Sequence, residues 1–319
     1  MKKFWPWLRL LLAVGILVAL GLRLGTGAFL DGLRAIDAFS IAAALAIGLV
    51  TTVLSAGRWV LVARRLGLPL TLRTAVGDYY RAQLVNAVLP AGVLGDVHRA
   101  VHHGRESGDV GRGVRAVFFE RMAGQVVLIG IGLAVLLTHP APGLDLAPDG
   151  ITAGLVVAGL ALAAAVGWQI RPVRRVLVNT LADGIRLLSF RTWPAVLGLS
   201  AATVAGYVAM FLVAARAAGS DATVTQLAPV VVLALLIMAI PVNIGGFGPR
   251  EAFLAVAFGA AGLGAAQGFT TGIVYGVLAL IAALPGAVVL LVSRRKAQQP
   301  QVVAEGLGQP REQELALAR

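Results

Sequence analysis

The sequence predicts an all-α, polytopic integral membrane protein, and three observations carry that prediction. Of 319 residues, 58% are hydrophobic and only 13% are charged, where a soluble domain carries roughly a quarter charged residues. Several apolar runs approach or exceed the roughly 20 residues that a helix needs to cross a bilayer. These runs are continuous and rich in Ala, Leu, Val and Gly, unlike the short alternating segments of an outer-membrane barrel. The expected architecture is about six to eight transmembrane helices with two re-entrant, Gly/Pro-broken helical hairpins, an arrangement that suggests an inverted repeat.

The first element, Leu8–Leu22, follows a basic start with Trp5 and Trp7. It reads as an uncleaved first helix, because the tryptophans suit an interfacial anchor and no A-x-A cleavage site follows. Ser40–Val62, Val114–Leu137, Ile151–Ile170, Trp193–Ala215 and Thr270–Val292 read as further spans. Thr74–Leu89, Leu227–Ile240 and Glu251–Leu263 are shorter, and such lengths suit re-entrant half-helices. Residues 1–296 form one transmembrane domain, and the polar tail 297–319 reads as a disordered cytoplasmic segment. Arg171–Arg191 reads as a basic interfacial helix.

The formal net charge of +12 does not mark a nucleic-acid binder, because the basic residues collect in the short loops between apolar runs. Lys2, Lys3 and Arg9, then Arg64, Arg65 and Arg73, then Arg105, Arg112 and Arg115, then Arg171, Arg174 and Arg175, and finally Arg294, Arg295 and Lys296 all fall on one side by parity. The positive-inside rule makes that side cytoplasmic, with both termini inside. The loop Thr138–Gly150 holds two Asp and no Lys or Arg and belongs outside. Parity then makes Thr74–Arg99 a hairpin from the cytoplasm and Leu227–Leu263 a hairpin from outside. The rival reading lets the latter cross twice.

Two polar breaks interrupt the apolar chain, PAGVLGDVHR at Pro90–Arg99 and PVNIGGFGPRE at Pro241–Glu251. Lipid cannot satisfy broken backbone, so such segments face protein or a watery cavity, and intramembrane charge there is a functional hypothesis by default. In the second break, Gly248 suits the N-cap, Pro249 the first helical position, and Arg250 and Glu251 the first turn. A helix start of this kind offers free N–H groups and a positive dipole end to an anion, and Arg250 adds a planar fork of donors. Asn243, Gly245 and Gly246 precede it as part of the same candidate site. In the first break, Asp96 is the expected N-cap, sharing a face with Arg99. Glu120 and Arg121 open the next span, either snorkelling to the interface or joining the same cavity. Asp78, Tyr79, Tyr80, Arg81, Gln83 and Asn86 line the first hairpin or its polar face. Arg58 and Arg216 read as snorkelling side chains.

Enzyme chemistry is not expected. There are no cysteines, and no Gly-x-Ser-x-Gly elbow, Walker loop or His-Glu-x-x-His helix is present. His98, His102 and His103 lie in a basic loop with Glu106 alone nearby, which favours a solvated or headgroup-facing cluster over a metal site. No cofactor is expected.

PAGVLGDVHRA followed by FFERMAG, and then PVNIGGFGPREAF, resemble the two signatures of the lysylphosphatidylglycerol synthase transmembrane (flippase-like) family across Ser40 to Val292. Leu94 departs from the pattern where a glycine usually precedes Gly-Asp. The resemblance implies a multi-pass inner-membrane protein handling phospholipid or polyprenyl-linked headgroups. Relatives of this kind move lysylphosphatidylglycerol between leaflets after a fused cytosolic domain makes it. No stretch of this sequence reads as such an aminoacyl-transferring domain.

The leading expectation is a non-enzymatic lipid translocator binding an anionic or aminoacylated headgroup. The expected contacts are Asp96, Arg99, Glu120, Arg121, Asn243, Gly245, Gly246, Gly248, Arg250 and Glu251. The alternatives are a secondary transporter of a small solute and an accessory subunit of lipid or polysaccharide synthesis. A separate lipid-modifying enzyme, a glycosyltransferase and a second copy of the chain stay open as partners.

Overall fold

A computed structural model describes residues 30, 32–88, 93–139, 178–184, 187, 192–238 and 248–298. Nine helices of more than ten residues lie among them, and no strand: α1 Ala38–Arg65, α2 Leu72–Val88, α3 Leu94–Glu106, α4 Val110–Thr138, α5 Trp193–Ala217, α6 Val224–Met238, α7 Pro249–Ala260, α8 Ala265–Ala283 and α9 Pro285–Gln298. The expected spans Leu8–Leu22 and Ile151–Ile170, the polar tail and most of Arg171–Arg191 lie outside the described residues.

Among the described residues, four helices are long and apolar enough to cross a membrane: α1, α4, α5 and the run Ala265–Leu291 formed by α8 and the start of α9. Their ends carry local signals. Asp37 caps α1, its Oδ1 accepting from the Ser40 N–H at 2.8 Å while the Asp37 N–H donates to Ser40 Oγ at 3.0 Å. Arg64 and Arg65 complement the dipole at the other end of α1. Asp109 caps α4 through the Arg112 N–H, and Pro194 sits in the first turn of α5, where its missing N–H costs nothing. The predicted span Thr270–Val292 is interrupted at Leu284–Pro285, because Pro285 has no N–H to continue the ladder.

The helices around the two breaks are short. At 1.5 Å per residue, α7 with 12 residues is about 18 Å long, well under the roughly 30 Å of a hydrocarbon core. Each break lies between two helices that pack on one another, α2 on α3 and α6 on α7. The first pair is tight: Gly95 faces the Ala82 backbone so closely that a Cβ there would collide with the Ala82 carbonyl.

Depth can be read from the neighbours. Gln83, near the end of α2, accepts a hydrogen bond from Thr52 Oγ1 at 3.0 Å, and Thr52 lies at the middle of α1. Thus α2 starts beside the C-terminal end of α1 and returns alongside it as far as mid-span, where α3 turns back. Likewise Glu251 at the start of α7 meets Gly272, while Gly259 at its end meets Ala265. So α7 starts deep beside α8 and ends where α8 begins.

α1 and α5 pack antiparallel. Arg58 meets Ser200, and earlier in α1 Thr51 meets Gly206, later in α5. Their C-terminal ends, from which α2 and α6 depart, therefore lie at opposite faces, and the two hairpins enter from opposite sides. Packing partners repeat in the same sense: α1 packs on α8 as α5 packs on α4, and α2 meets α8 as α6 meets α4. The core divides accordingly. One apolar cluster around Trp59, Leu66, Ala75, Tyr79 and Val117 holds the first hairpin. The other, around Phe211, Leu227, Val231, Leu254, Phe258 and Leu278, holds the second.

Candidate functional site

The first turn of α3 and the middle of α4 carry a buried chain of alternating charge. Glu120 on α4 is fully buried and accepts from three donors. Arg58 on α1 contributes Nε at 3.0 Å and a second contact through Nη2; Tyr79 on α2 donates its hydroxyl at 3.0 Å. Arg99 on α3 reaches the other oxygen, Oε2, with Nη2 at 2.7 Å. The Arg99 Nε donates to Asp96 Oδ1 at 2.8 Å, and Arg121 pairs with Asp96 Oδ2. Asn86, the last polar residue before the first break, donates to Asp96 at 2.9 Å and accepts from the Gly95 N–H at 2.7 Å. Four elements thus meet through two carboxylates.

Burying such charges is costly unless every one is paired and hydrogen-bonded. The alternation Arg58, Glu120, Arg99, Asp96, Arg121 pairs every charge, although the buried Arg99 Nη1 has no hydrogen-bond partner among the described residues. Arg99 lies between two aromatic faces, 4.7 Å from the Trp59 ring centroid and 4.4 Å from that of Tyr79. A guanidinium is less strongly hydrated than an ammonium and stacks on rings, so it suits this position.

Sequence expectations fare unevenly here. Asp96 is not the N-cap: Val93 takes that place and Asp96 falls in the first turn, where its carboxylate holds two arginines instead. Arg58 does not snorkel; it is buried and spends its donors on Glu120 and on Ser200 Oγ at 3.0 Å. Of the histidines, His103 is buried with its ring edge-on to Trp59, not solvated, while His98 and His102 stack on each other. No cluster of metal-ligating side chains occurs among the described residues. Asp78 pairs with Arg81, and Arg216 is exposed as expected, donating to the Ser220 carbonyl at 2.6 Å.

The second break ends as its sequence predicts. Gly248 is the N-cap of α7, with Pro249 in the first turn. Its φ of +107° is a conformation that only glycine adopts without strain. Glu251 folds back to accept the Gly248 N–H at 2.6 Å and pairs with Arg250. The Arg250 guanidinium also lies 5.0 Å from the Tyr275 ring centroid. Arg250 and Glu251 are both buried. Asn243, Gly245 and Gly246 lie outside the described residues.

The helices that flank the two breaks share one cavity of about 280 Å³. Asn86 and Ala87 line it at the end of α2, Met238 at the end of α6 and Arg250 at the start of α7. Arg121 contributes from α4, and its side chain, 46% exposed, is the end of the buried charge chain that reaches open space. Thr51 of α1, Tyr207 of α5 and Tyr275 of α8 add polar groups at mid-span, with Tyr79 and Gln83 of α2, and no Asp or Glu lines the cavity among the described residues. Asp96, Arg99 and Glu120 stand behind Arg121 and off the cavity wall, so they position and balance it. Tyr207, Tyr275 and Ser200 were not anticipated; a lone tyrosine or serine in an apolar run gives no signal of what it faces.

No curated protein and no solved structure matches the chain. The family model described as the lysylphosphatidylglycerol synthase TM region matches residues 7–286, most of the sequence, and the chain belongs to that family.

Proposed function

We propose that this protein binds the phosphate-bearing headgroup of a phospholipid or polyprenyl-linked lipid in the mid-span cavity and carries it between leaflets without covalent chemistry. The family is one of membrane proteins in lipid-related function, and its TM region is the non-catalytic part of synthase-like proteins. The observation that carries the reading is that Arg121 and Arg250 line one cavity from the two repeats, with no carboxylate on its described wall.

The chemistry follows from that lining. Two guanidinium forks and the first turn of α7 offer donors to phosphate oxygens, a geometry a helix start supplies by itself and an arginine reinforces. The cavity volume of about 280 Å³ falls just below the range of ligand pockets, which run roughly 300–1,000 Å³. That is room for a headgroup, with the acyl or prenyl chains left in the bilayer. Half-helices entering from opposite faces toward a midplane site suit alternating access, in which one repeat rocks against the other. The protein would sit in the inner membrane with both termini cytoplasmic. Asp96, Arg99, Glu120 and Glu251 would set the position and charge of the two contacting arginines.

The test is a leaflet assay in proteoliposomes carrying a labelled anionic phospholipid. Wild type is expected to move the label, and Arg250→Ala to lose most of that movement. Equal translocation by both would remove the second break from the mechanism. Uptake of inorganic phosphate with no movement of lipid would instead make the cavity a small-anion site.

A further inference from the structure

Behind the charge chain, between α2 and α3, lies a second buried polar cluster with no part in holding the cavity arginines. Asp78 on α2 is 5% exposed and His103 on α3 is 3% exposed. Each keeps a buried polar atom, Asp78 Oδ2 and His103 Nε2, without a hydrogen-bond partner among the described residues. Buried polar atoms are rarely left unpaired, and an ionisable residue buried at membrane depth marks a functional site by default. Neither residue lines the cavity.

The His103 ring is poised between opposing influences. Burial opposes a charge on it, while Glu106 of its own helix and Asp78 of α2 favour one and His102 works against it. Asp78 already pairs with Arg81 through its other oxygen. From α1, Trp59 meets the ring edge-on, with centroids 5.5 Å apart, and the adjacent Arg58 is committed to Glu120. At the start of α4, Asp109 pairs with Arg112, and Arg115 pairs with Asp183. The part of α9 with described side chains, Pro285–Leu291, packs on α2 and carries no charge. Imidazole is the side chain that ordinarily titrates near physiological pH. His102 and Glu106, exposed and 3.4 Å apart on the same helix, give a proton its route from solvent.

The cluster is tied to the cavity by contact. His103 lies one turn beyond Arg99 on α3, and both side chains meet the Trp59 ring, Arg99 at 4.7 Å from its centroid. Asp78 precedes Tyr79, which donates to Glu120. Arg99 continues through Asp96 to Arg121 on the cavity wall. An anion that engages Arg121 adds negative charge at the cavity end of this chain and lowers the cost of a positive charge at the other end.

Resting on the headgroup reading above, we propose that His103, with Asp78 as its counter-charge, is a proton-binding site linked to the cavity, so that binding of an anionic headgroup takes up a proton. Solvent supplies the proton, which adds to the neutral imidazole and leaves both ring nitrogens protonated. Linkage is reciprocal, so the headgroup binds more tightly as pH falls. A proton gradient across the membrane can then bias the movement of the headgroup.

The experiment titrates short-chain phosphatidylglycerol into the purified full-length protein in detergent by calorimetry, in two buffers of different ionisation enthalpy. The difference in heat counts protons exchanged, and the lipid's phosphodiester does not itself titrate in this range. Wild type is expected to take up a proton, at most about one per headgroup, near pH ~6.5. It should bind about fivefold more tightly at pH ~5.5 than at pH ~8, the lower end of typical coupling between two sites. His103→Gln should abolish the uptake and flatten the pH profile while keeping the affinity seen at high pH. Asp78→Asn should weaken both effects, and His98→Gln, on the exposed face of α3, should behave as wild type. Binding by wild type without proton exchange overturns the inference and leaves the headgroup reading standing, and that measurement needs no variant to fold. Full uptake retained in His103→Gln also overturns it. Failure of phosphatidylglycerol to bind at any pH overturns the headgroup reading and the linkage with it.

Discussion

The Arg58 guanidinium and the Glu120 carboxylate pair across α1 and α4, both buried. The pair is one link in a chain where position decides energetic weight. Glu120 serves Arg58 and Arg99 together, so deleting it leaves Arg58 without its carboxylate and Arg99 sharing Asp96 with Arg121. Deleting Arg58 leaves Arg99 and Arg121 balanced by Asp96 and Glu120. Glu120→Gln is therefore expected to destabilise by about 3–5 kcal/mol, the range for stranding a buried charge, and Arg58→Met by clearly less. Thermal unfolding in detergent checks the order; a larger loss for Arg58→Met would contradict it.

Arg121 and Arg99 separate contact from support. Arg121 is partly exposed into the cavity and, when removed, leaves Asp96 still held by Arg99 and Asn86. Arg121→Ala should cost about 1 kcal/mol or less in stability while weakening binding of an anionic headgroup at least about tenfold, the scale of one lost charge-assisted contact. Arg121→Lys should recover only part of the affinity, because an ammonium lacks the planar fork. Arg99→Ala, by contrast, empties the space between Trp59 and Tyr79 and should lower stability first. Parallel thermal and binding measurements on the three variants distinguish the roles.

Backbone geometry at the two breaks makes a third expectation. Gly248 has φ +107°, so Gly248→Ala should cost about 1–3 kcal/mol through strain at a disfavoured conformation. Gly95→Ala should cost a similar amount for another reason: its Cβ would meet the Ala82 backbone, which cannot move without parting α2 from α3. Gly130 has open space around an added Cβ, so Gly130→Ala should be neutral or slightly stabilising in the helix. Comparing the three by thermal unfolding tests whether the hairpins are as closely packed as described.

Much of this arrangement was legible in the sequence because lipid is an unforgiving solvent. Pro, Gly and paired charge within apolar runs have few physical explanations, and the helices flanking both breaks pack in pairs and line one cavity. Gly248, Pro249, Arg250 and Glu251 could be given roles because a helix start has a local grammar of cap and first turn. Arg58 could not: one arginine near the end of an apolar run looks like a snorkelling side chain, and its partner Ser200 is 142 positions away. The misreading of Asp96 has a similar cause. Its geometry depends on Asn86 holding the Gly95 N–H, a contact across the break that no local pattern announces.

Opposed entry of the hairpins gives the last prediction. Because α1 and α5 run antiparallel, the α3–α4 turn and the α7–α8 turn lie at opposite ends of the bundle. The sequence has no cysteine, so a single introduced thiol can be labelled without background. Glu106, at the end of α3, and Ala266, at the start of α8, are both exposed. Glu106→Cys should react with a membrane-impermeant maleimide in inverted vesicles and stay protected in intact cells stripped of any outer membrane. Ala266→Cys should show the reverse, as expected if the positive-inside rule places the arginine-rich α3–α4 turn inside. Labelling of both from one side would require one of α6 and α7 alone to cross fully, or the repeat not to be inverted. Then the hairpins would no longer enter from opposite faces, and the alternating-access reading would fall with the topology.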